Sequence, residues 1–169
     1  MIYLEKSLLS QTDLDFLFDL YRNSTNWTVI DGHQAERHSV SVVGHLLISA
    51  FSEEEIQPIW DKVKDKVVAQ LGCDIELAYA RILKYNKTCF VQKHLDGYNA
   101  KHQKESDVSF ILQLNDPNDY VGGAMIVNKQ LIELRPGDAV FYTYDEEHEV
   151  KVIKSGIRYV LNLRFKRVK

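Results

Sequence analysis

At 169 residues the chain is long enough to bury a real core, and one domain spanning residues 1–169 is expected. Its hydrophobic content of 45% and charged content of 27% exclude a disordered chain, and a net charge of -3 offers no signature of polyanion binding, so a nucleic-acid partner is disfavoured. The two cysteines, Cys73 and Cys89, are too few for a disulfide framework, and no apolar run approaches the ~18 residues of a membrane span, so free thiols, no membrane partner and a cytoplasmic location are expected.

The N-terminal stretch from Met1 to Tyr21 carries acids inside its apolar run and reads as a folded helix rather than a leader. Ser10 can cap that helix, with Asp13 near its positive end, and Leu14, Leu17, Phe18 and Tyr21 form its apolar stripe. Residues 27–50 look extended, interrupted by a polar loop at Asp31–Ser39. A second helix is expected from near Ser52, with Ile56, Ile59, Trp60, Val63, Val67 and Leu71 on one face and Gly72 as its stop. From Glu76 onward the pattern changes to eight short strands separated by turn signals such as Asn115-Asp116-Pro117-Asn118, Gly122-Gly123 and Pro136-Gly137-Asp138. The expected fold is mainly β with flanking α: a jelly roll, or double-stranded β-helix, in residues 76–169, supported by two helices in residues 1–75.

Period-2 alternation places the chemistry. His94 and Asp96 lie two apart at a strand end and share a side, while Leu95 points away. His148 opens another strand after Asp145-Glu146-Glu147. Two imidazoles and one carboxylate can occupy one face of a metal ion and leave the other open, the facial triad of non-haem Fe(II) oxygenases; Mn, Co or Ni would fit the same ligands. On the last strand Arg158, Val160, Asn162 and Arg164 share one face, and Tyr159, Leu161, Leu163 and Phe165 the other. The second set is apolar and should meet the helices, which turns Arg158 into the barrel. An interior arginine needs a partner: either a buried acid or a bound carboxylate ligand.

From Arg81 to Phe165 the chain resembles the prolyl-4-hydroxylase-like branch of the Fe(II)/2-oxoglutarate dioxygenases. The resemblance is carried by Ile82-Leu83-Lys84-Tyr85 leading to His94-Leu95-Asp96, by Phe110–Asn115, by Tyr120-Val121-Gly122-Gly123, by Leu134–Ala139, and by His148-Glu149-Val150 running to Gly156-Ile157-Arg158-Tyr159. It implies Fe(II) on His94, Asp96 and His148, with 2-oxoglutarate and O2 as co-substrates and ascorbate as an optional reductant. Arg158 would pair with the distal carboxylate of 2-oxoglutarate, Tyr85 and Gln113 would stand at co-substrate positions, and Asn162 would stand where relatives often offer a hydroxyl. Gly122-Gly123 would let backbone pass close to the site. Gln113 replaces a tyrosine found in oxygen-sensing relatives, and Arg164 replaces a bulky aromatic. The implied activity is hydroxylation of a C–H bond, of a prolyl residue in a peptide or protein, with succinate and CO2 as co-products. Arg164, Arg37 and Tyr98 are candidates for contact with substrate, Arg37 from the 31–39 loop and Tyr98 beside the metal motif. His33, His38, His45 and His102 are read as surface or loop residues.

Two other readings compete. The pair Arg158 and Arg164 matches the Arg-x5-Arg of AlkB-type nucleic-acid demethylases, although the His148–Arg158 spacing and the Gly-Gly strand fit the hydroxylase branch better. A non-catalytic jelly-roll module holding a metal or a carboxylate ligand is the third, and the inward Arg158 argues against it.

Overall fold

A computed structural model describes the backbone of residues 1–36, 39–96 and 106–168, and the side chains of those residues apart from 30–45. Arg37 and Tyr98 lie outside the described residues, as do the side chains of His33, His38, His45 and His102.

The chain opens as a strand, β1 (Ile2–Glu5), not as the start of a helix. Four residues are too few for periodicity to reveal, and what fixes them is antiparallel pairing with a strand about 140 residues away, Ile2 opposite Tyr142. Helix α1 (Gln11–Asn23) begins at the expected cap. The Ser10 side chain accepts from the Asp13 amide while Asp13 accepts from the Ser10 amide, a capping box that satisfies two otherwise orphaned donors. Strands β2 (Trp27–Glu36) and β3 (Ser39–Phe51) form one long hairpin. The stretch expected as a polar loop at Asp31–Ser39 is therefore mostly strand, because ladder pairing such as Gly32 with Val43 overrides its polar composition.

Helix α2 (Gln57–Leu71) starts later than expected. Ser52 and Glu55 cap a preceding turn, and Pro58 in the first helical turn marks the true start, where its missing N–H is no loss. Gly72 ends the helix in the left-handed conformation.

The remaining strands are β4 (Ile75–Tyr85), β5 (Val91–His94), β6 (Val108–Gln113), β7 (Tyr120–Gly122), β8 (Met125–Val127), β9 (Gln130–Ile132), β10 (Ala139–Thr143), β11 (His148–Val150), β12 (Ile153–Gly156) and β13 (Arg158–Arg167). Ser155-Gly156, which reads as a turn, instead pairs with β7, and the single strand expected over Glu149–Ile153 is divided between β11 and β12. One large antiparallel sheet runs β1-β10-β6-β13-β4-β3-β5-β11-β8-β9, with β2 on β3, and β7 and β12 form a small second sheet. Strand β3 pairs with β4 and also meets β5, so the two walls of the roll are continuous through it.

Two cores follow from the alternation. Outside the roll, Leu14, Leu17, Ile59, Trp60, Val63 and Val67 of the helices pack on Phe110, Phe141, Leu161, Leu163 and Phe165. Inside it, Leu83, Ile111, Val140 and Val160 of one wall meet Met125, Val127, Ile132 and Val150 of the other. Thus β13 divides as its sequence predicts, with Tyr159, Leu161, Leu163 and Phe165 toward the helices. Among the described residues, no helix is long and apolar enough to cross a membrane.

Candidate metal centre and carboxylate site

The pairing of β5 with β11 sets His94 directly across from His148, and their ring centroids lie 4.1 Å apart. Asp96, two residues beyond the end of β5, completes a group whose ligand atoms all lie within 4.8 Å of one another. The Asp96 carboxylate is 3.3 Å from His94 Nε2 and 3.0 Å from His148 Nε2. Leu95, between them in sequence, points outward and is exposed.

The surroundings fix how these donors present themselves. His94 Nδ1 sits 2.7 Å from the Gln92 carbonyl and His148 Nδ1 3.1 Å from the Glu146 carbonyl. A carbonyl can only accept, so each Nδ1 donates to it, which fixes the ring orientation and turns each Nε2 toward Asp96, where a metal ion would sit. Ser109 donates to Asp96 Oδ2 at 2.9 Å, and Arg164 reaches Oδ1 at 2.5 Å. Burial alone would push the Asp96 carboxyl up. The charge of Arg164 and the His148 contact outweigh it and hold the group well below the usual carboxylate range, so Asp96 is anionic. Two imidazole nitrogens and one carboxylate oxygen form a donor set suited to a divalent first-row metal, and three protein ligands would leave positions for other molecules.

Arg158 is 3% exposed and points into the roll. Its Nε donates to Gln113 Oε1 at 3.1 Å, its Nη1 donates to the Gly123 carbonyl at 3.2 Å, and its guanidinium lies 5.6 Å from the centre of the Tyr85 ring. Among the described residues no acid pairs with it, so the alternative of a buried ion pair is not what the fold supplies. Gln113 is anchored in turn by donating to the Asn115 carbonyl and the Tyr120 hydroxyl. Burial pushes the Tyr85 phenol up to about 12, which keeps it a neutral hydroxyl. A cavity of about 560 Å³ reaches Arg158 and Gln113, lined also by Tyr120, Gly123, Met125 and Arg135. Gly122 and Gly123 both adopt positive φ, and the backbone between them and Arg158 does approach closely, as the Gly123 contact requires.

Other expected residues are differently engaged. Asn162 is buried on the same face, but its Oδ1 accepts two hydrogen bonds from Arg81 and its Nδ2 donates to the Phe110 carbonyl. Arg164 contacts Asp96 rather than standing clear of the donor group. Sequence reading missed Ser109, Tyr142 and Arg81. Tyr142 lies against His148 at 4.8 Å between ring centroids, and Arg81 lies beside Asn162. The signal for Ser109 was available: it and Gln113 are polar residues at even spacing in an otherwise apolar, wholly buried strand.

Residues 80–166, just over half of the chain, match the model of the 2OG-Fe(II) oxygenase superfamily. A PKHD-type hydroxylase from Picosynechococcus is 41% identical over 59 residues, 32% of this chain and 27% of that protein. A second, from Prochlorococcus marinus strain NATL1A, is 25% identical over 173 residues, 95% of this chain and 76% of that one. The chain spans between 27% and 39% of the length of the first three such relatives. The crystal structure of a prolyl-4-hydroxylase from Pseudomonas putida superposes with a TM-score of 0.72 at 17% identity, over 99% of this chain and 93% of that one, and has the same fold. By its match over residues 80–166 the chain belongs to the 2OG-Fe(II) oxygenase superfamily.

Proposed function

We propose that the protein is an Fe(II)- and 2-oxoglutarate-dependent dioxygenase that hydroxylates a C–H bond, with a prolyl residue of a peptide or protein as the substrate to test first. The observation that carries this reading is the pairing, inside one roll, of a His-Asp-His donor group with a buried arginine that no acid neutralises among the described residues. A structural metal site would have no use for such an arginine, whereas a dicarboxylic co-substrate would.

When bound, ferrous iron supplies the activation of O2 that couples decarboxylation of 2-oxoglutarate, to succinate and CO2, with oxidation of the substrate. The chain's own work is binding and orientation. His94, Asp96 and His148 would hold the ion, with the Gln92 and Glu146 carbonyls fixing the imidazoles and Ser109 and Arg164 fixing the carboxylate. Arg158 would take the distal carboxylate, its guanidinium aimed by Gln113 and the Gly123 carbonyl. Tyr85 would offer a neutral hydroxyl beside it and help to exclude water. The core of residues 76–169 would thus carry the chemistry, and residues 1–75 would support it. The prolyl substrate is supported by similarity to PKHD-type hydroxylases and to a prolyl hydroxylase fold, and ascorbate would serve as the external reductant.

The test is an anaerobic titration of the purified protein with Fe(II) and then 2-oxoglutarate, watching for the weak visible charge-transfer band of a keto acid chelated to ferrous iron. The band should appear in the wild type, vanish in His94→Ala and need far more co-substrate in Arg158→Ala. A folded, iron-loaded wild type without the band would return the protein to the class of metal- or carboxylate-binding modules. Proline-containing peptides incubated aerobically should then gain one oxygen atom by mass.

A further inference from the structure

One face of the roll carries more positive charge than its proposed cofactors account for. The register of β4 against β13 places Tyr85 opposite Arg158, Arg81 opposite Asn162 and Tyr79 opposite Arg164. Three guanidinium groups therefore line this face, and the only ion pair that any of them makes among the described residues is that of Arg164 with Asp96. Arg81 donates solely to neutral acceptors there, Asn162 Oδ1 and the Tyr79 hydroxyl. Arg164 has a buried Nε with no partner among the described residues. Both guanidinium groups lie against the same Tyr79 ring, at 4.3 Å for Arg81 and 5.8 Å for Arg164. Two cations on one ring repel each other, and the one carboxylate beside them, Asp96, pairs with Arg164 alone.

Metal binding would sharpen the imbalance. Asp96 would then serve the ion as well as Arg164, and the doubly negative 2-oxoglutarate would be spent on the ion and on Arg158. Arg81 would keep its fork of N–H donors without an anion, and Arg164, sharing Asp96 with the ion, would keep an Nε without a partner among the described residues. Arg81, Tyr79 and Arg164 are all only partly buried, so a ligand can approach them.

We propose that Arg81 and Arg164 form an oxyanion subsite beside the metal centre, and that the substrate carries a carboxylate or a phosphate close to the C–H bond that is oxidised. This inference rests on the dioxygenase reading and narrows its substrate class from any prolyl peptide to an anionic molecule. Tyr79 serves as the platform on which both guanidinium groups are laid, and Asn162 holds Arg81 in place through its Oδ1.

The experiment follows the arginine Nε–H signals of the 15N-labelled full chain by NMR, loaded with Zn(II) as a redox-silent stand-in and saturated with 2-oxoglutarate. Arg81→Gln, Arg158→Gln and Arg164→Gln assign the three signals. Acetate and methyl phosphate are titrated separately against sodium chloride at equal ionic strength, which removes simple screening. The expected result is a saturable shift of the Arg81 and Arg164 signals with at least one of the two anions, the Arg158 signal staying where 2-oxoglutarate put it. The apparent affinity should fall about tenfold or more in Arg81→Gln, a partly exposed position that should fold whether or not the Arg164 variant does. Response to acetate alone assigns a carboxylate substrate, response to methyl phosphate alone a phosphate, and response to both the shared oxyanion chemistry. Signals that move no further than in chloride overturn the subsite. The 2-oxoglutarate step separates the two claims: if it fails to shift the Arg158 signal, the co-substrate reading falls, whatever the monoanions do at Arg81 and Arg164.

Discussion

His94 and His148 face each other as a cross-strand pair between β5 and β11, 54 positions apart in sequence and 4.1 Å apart between ring centroids. Strand pairing rather than a loop sets that separation, so the ladder itself brings the two imidazoles together, with Asp96 two residues past the end of β5. Replacing either histidine with alanine should therefore leave the fold intact and remove a ligand outright. Calorimetric titration with Mn(II) should show affinity reduced by more than about 100-fold in His94→Ala and His148→Ala, beyond the roughly 10–100-fold typical of losing an outer partner. Ser109→Ala, which removes a hydrogen bond to Asp96 and no ligand, should fall within that smaller range. Equal affinity in wild type and His148→Ala would remove this group from consideration as a metal centre.

Arg158 and Gln113 should separate in the same graded way. Truncating Arg158 to alanine takes away the charge proposed to meet the distal carboxylate, and should weaken 2-oxoglutarate binding by about 100-fold, roughly 3 kcal/mol. Gln113→Ala leaves the charge but removes the acceptor that aims Nε, so about a tenfold loss is expected. Arg158→Lys should resemble the alanine variant more than the wild type, because an ammonium cannot reproduce a planar fork. Quenching of intrinsic fluorescence by 2-oxoglutarate in the Mn(II)-loaded protein would measure all three.

Much of this arrangement was legible in the sequence, and the reasons differ by residue. His94, Asp96 and Arg158 announce themselves because strand alternation fixes which side each occupies, and the apolar partners Leu161, Leu163 and Phe165 leave no other choice of inner face on β13. What escaped is what depends on distant pairing. Ile2–Glu5 is a strand because β10 is there to receive it, and Asp31–Glu36 is strand because β3 returns alongside. Ser109 shows locally as a polar residue in a buried strand, but its place opposite Arg164, like that of Arg81 opposite Asn162, comes only from register.

The two cysteines should react very differently. Cys89 is fully buried, and burial pushes its thiol up to about 12, whereas Cys73 is partly exposed. The reactive species is the thiolate, so native protein treated with iodoacetamide at neutral pH should be labelled at Cys73 and spared at Cys89 until it unfolds. Peptide mapping would show it, and rapid native labelling at Cys89 would mean that the β5 end of the roll opens readily.

Gly122 should tolerate no side chain. Its φ is +86°, and a Cβ there would lie 2.2 Å from the Val152 carbonyl oxygen, which is backbone and cannot swing away. Gly122→Ala should cost about 2–4 kcal/mol, combining left-handed strain with displacement of the β7–β12 pair. Its neighbour Gly123 gives its carbonyl to Arg158, so the same variant should also weaken 2-oxoglutarate binding without touching the ligand site. Urea unfolding alongside the fluorescence titration would reveal both losses. A stable variant would show that the small second sheet can shift freely.

Asp138 supplies the pH dependence. It sits in the turn before β10, where its Oδ1 accepts from the Ser7 amide at 2.8 Å and its Oδ2 from the Arg135 amide at 3.0 Å and from Lys6 Nζ at 3.1 Å. Burial would raise its carboxyl, but these donors outweigh it and lower the group below its ordinary value. A carboxyl depressed on folding binds its proton more weakly in the native state than in the unfolded chain. Its contribution is therefore complete at pH values above the unfolded carboxylate range near ~3.9, and is lost as pH falls through the lower, folded value. Asp138→Asn keeps the shape but trades one acceptor for a donor facing backbone amides, and should cost about 1–3 kcal/mol at pH 7. The wild type should lose that advantage on acidification, so the gap in urea-unfolding free energy between the two should narrow steadily below about pH 4. A gap that stays constant into acid would mean that the Ser7 and Arg135 amides are satisfied in some other way, and that β1 owes its place to its ladder with β10 alone.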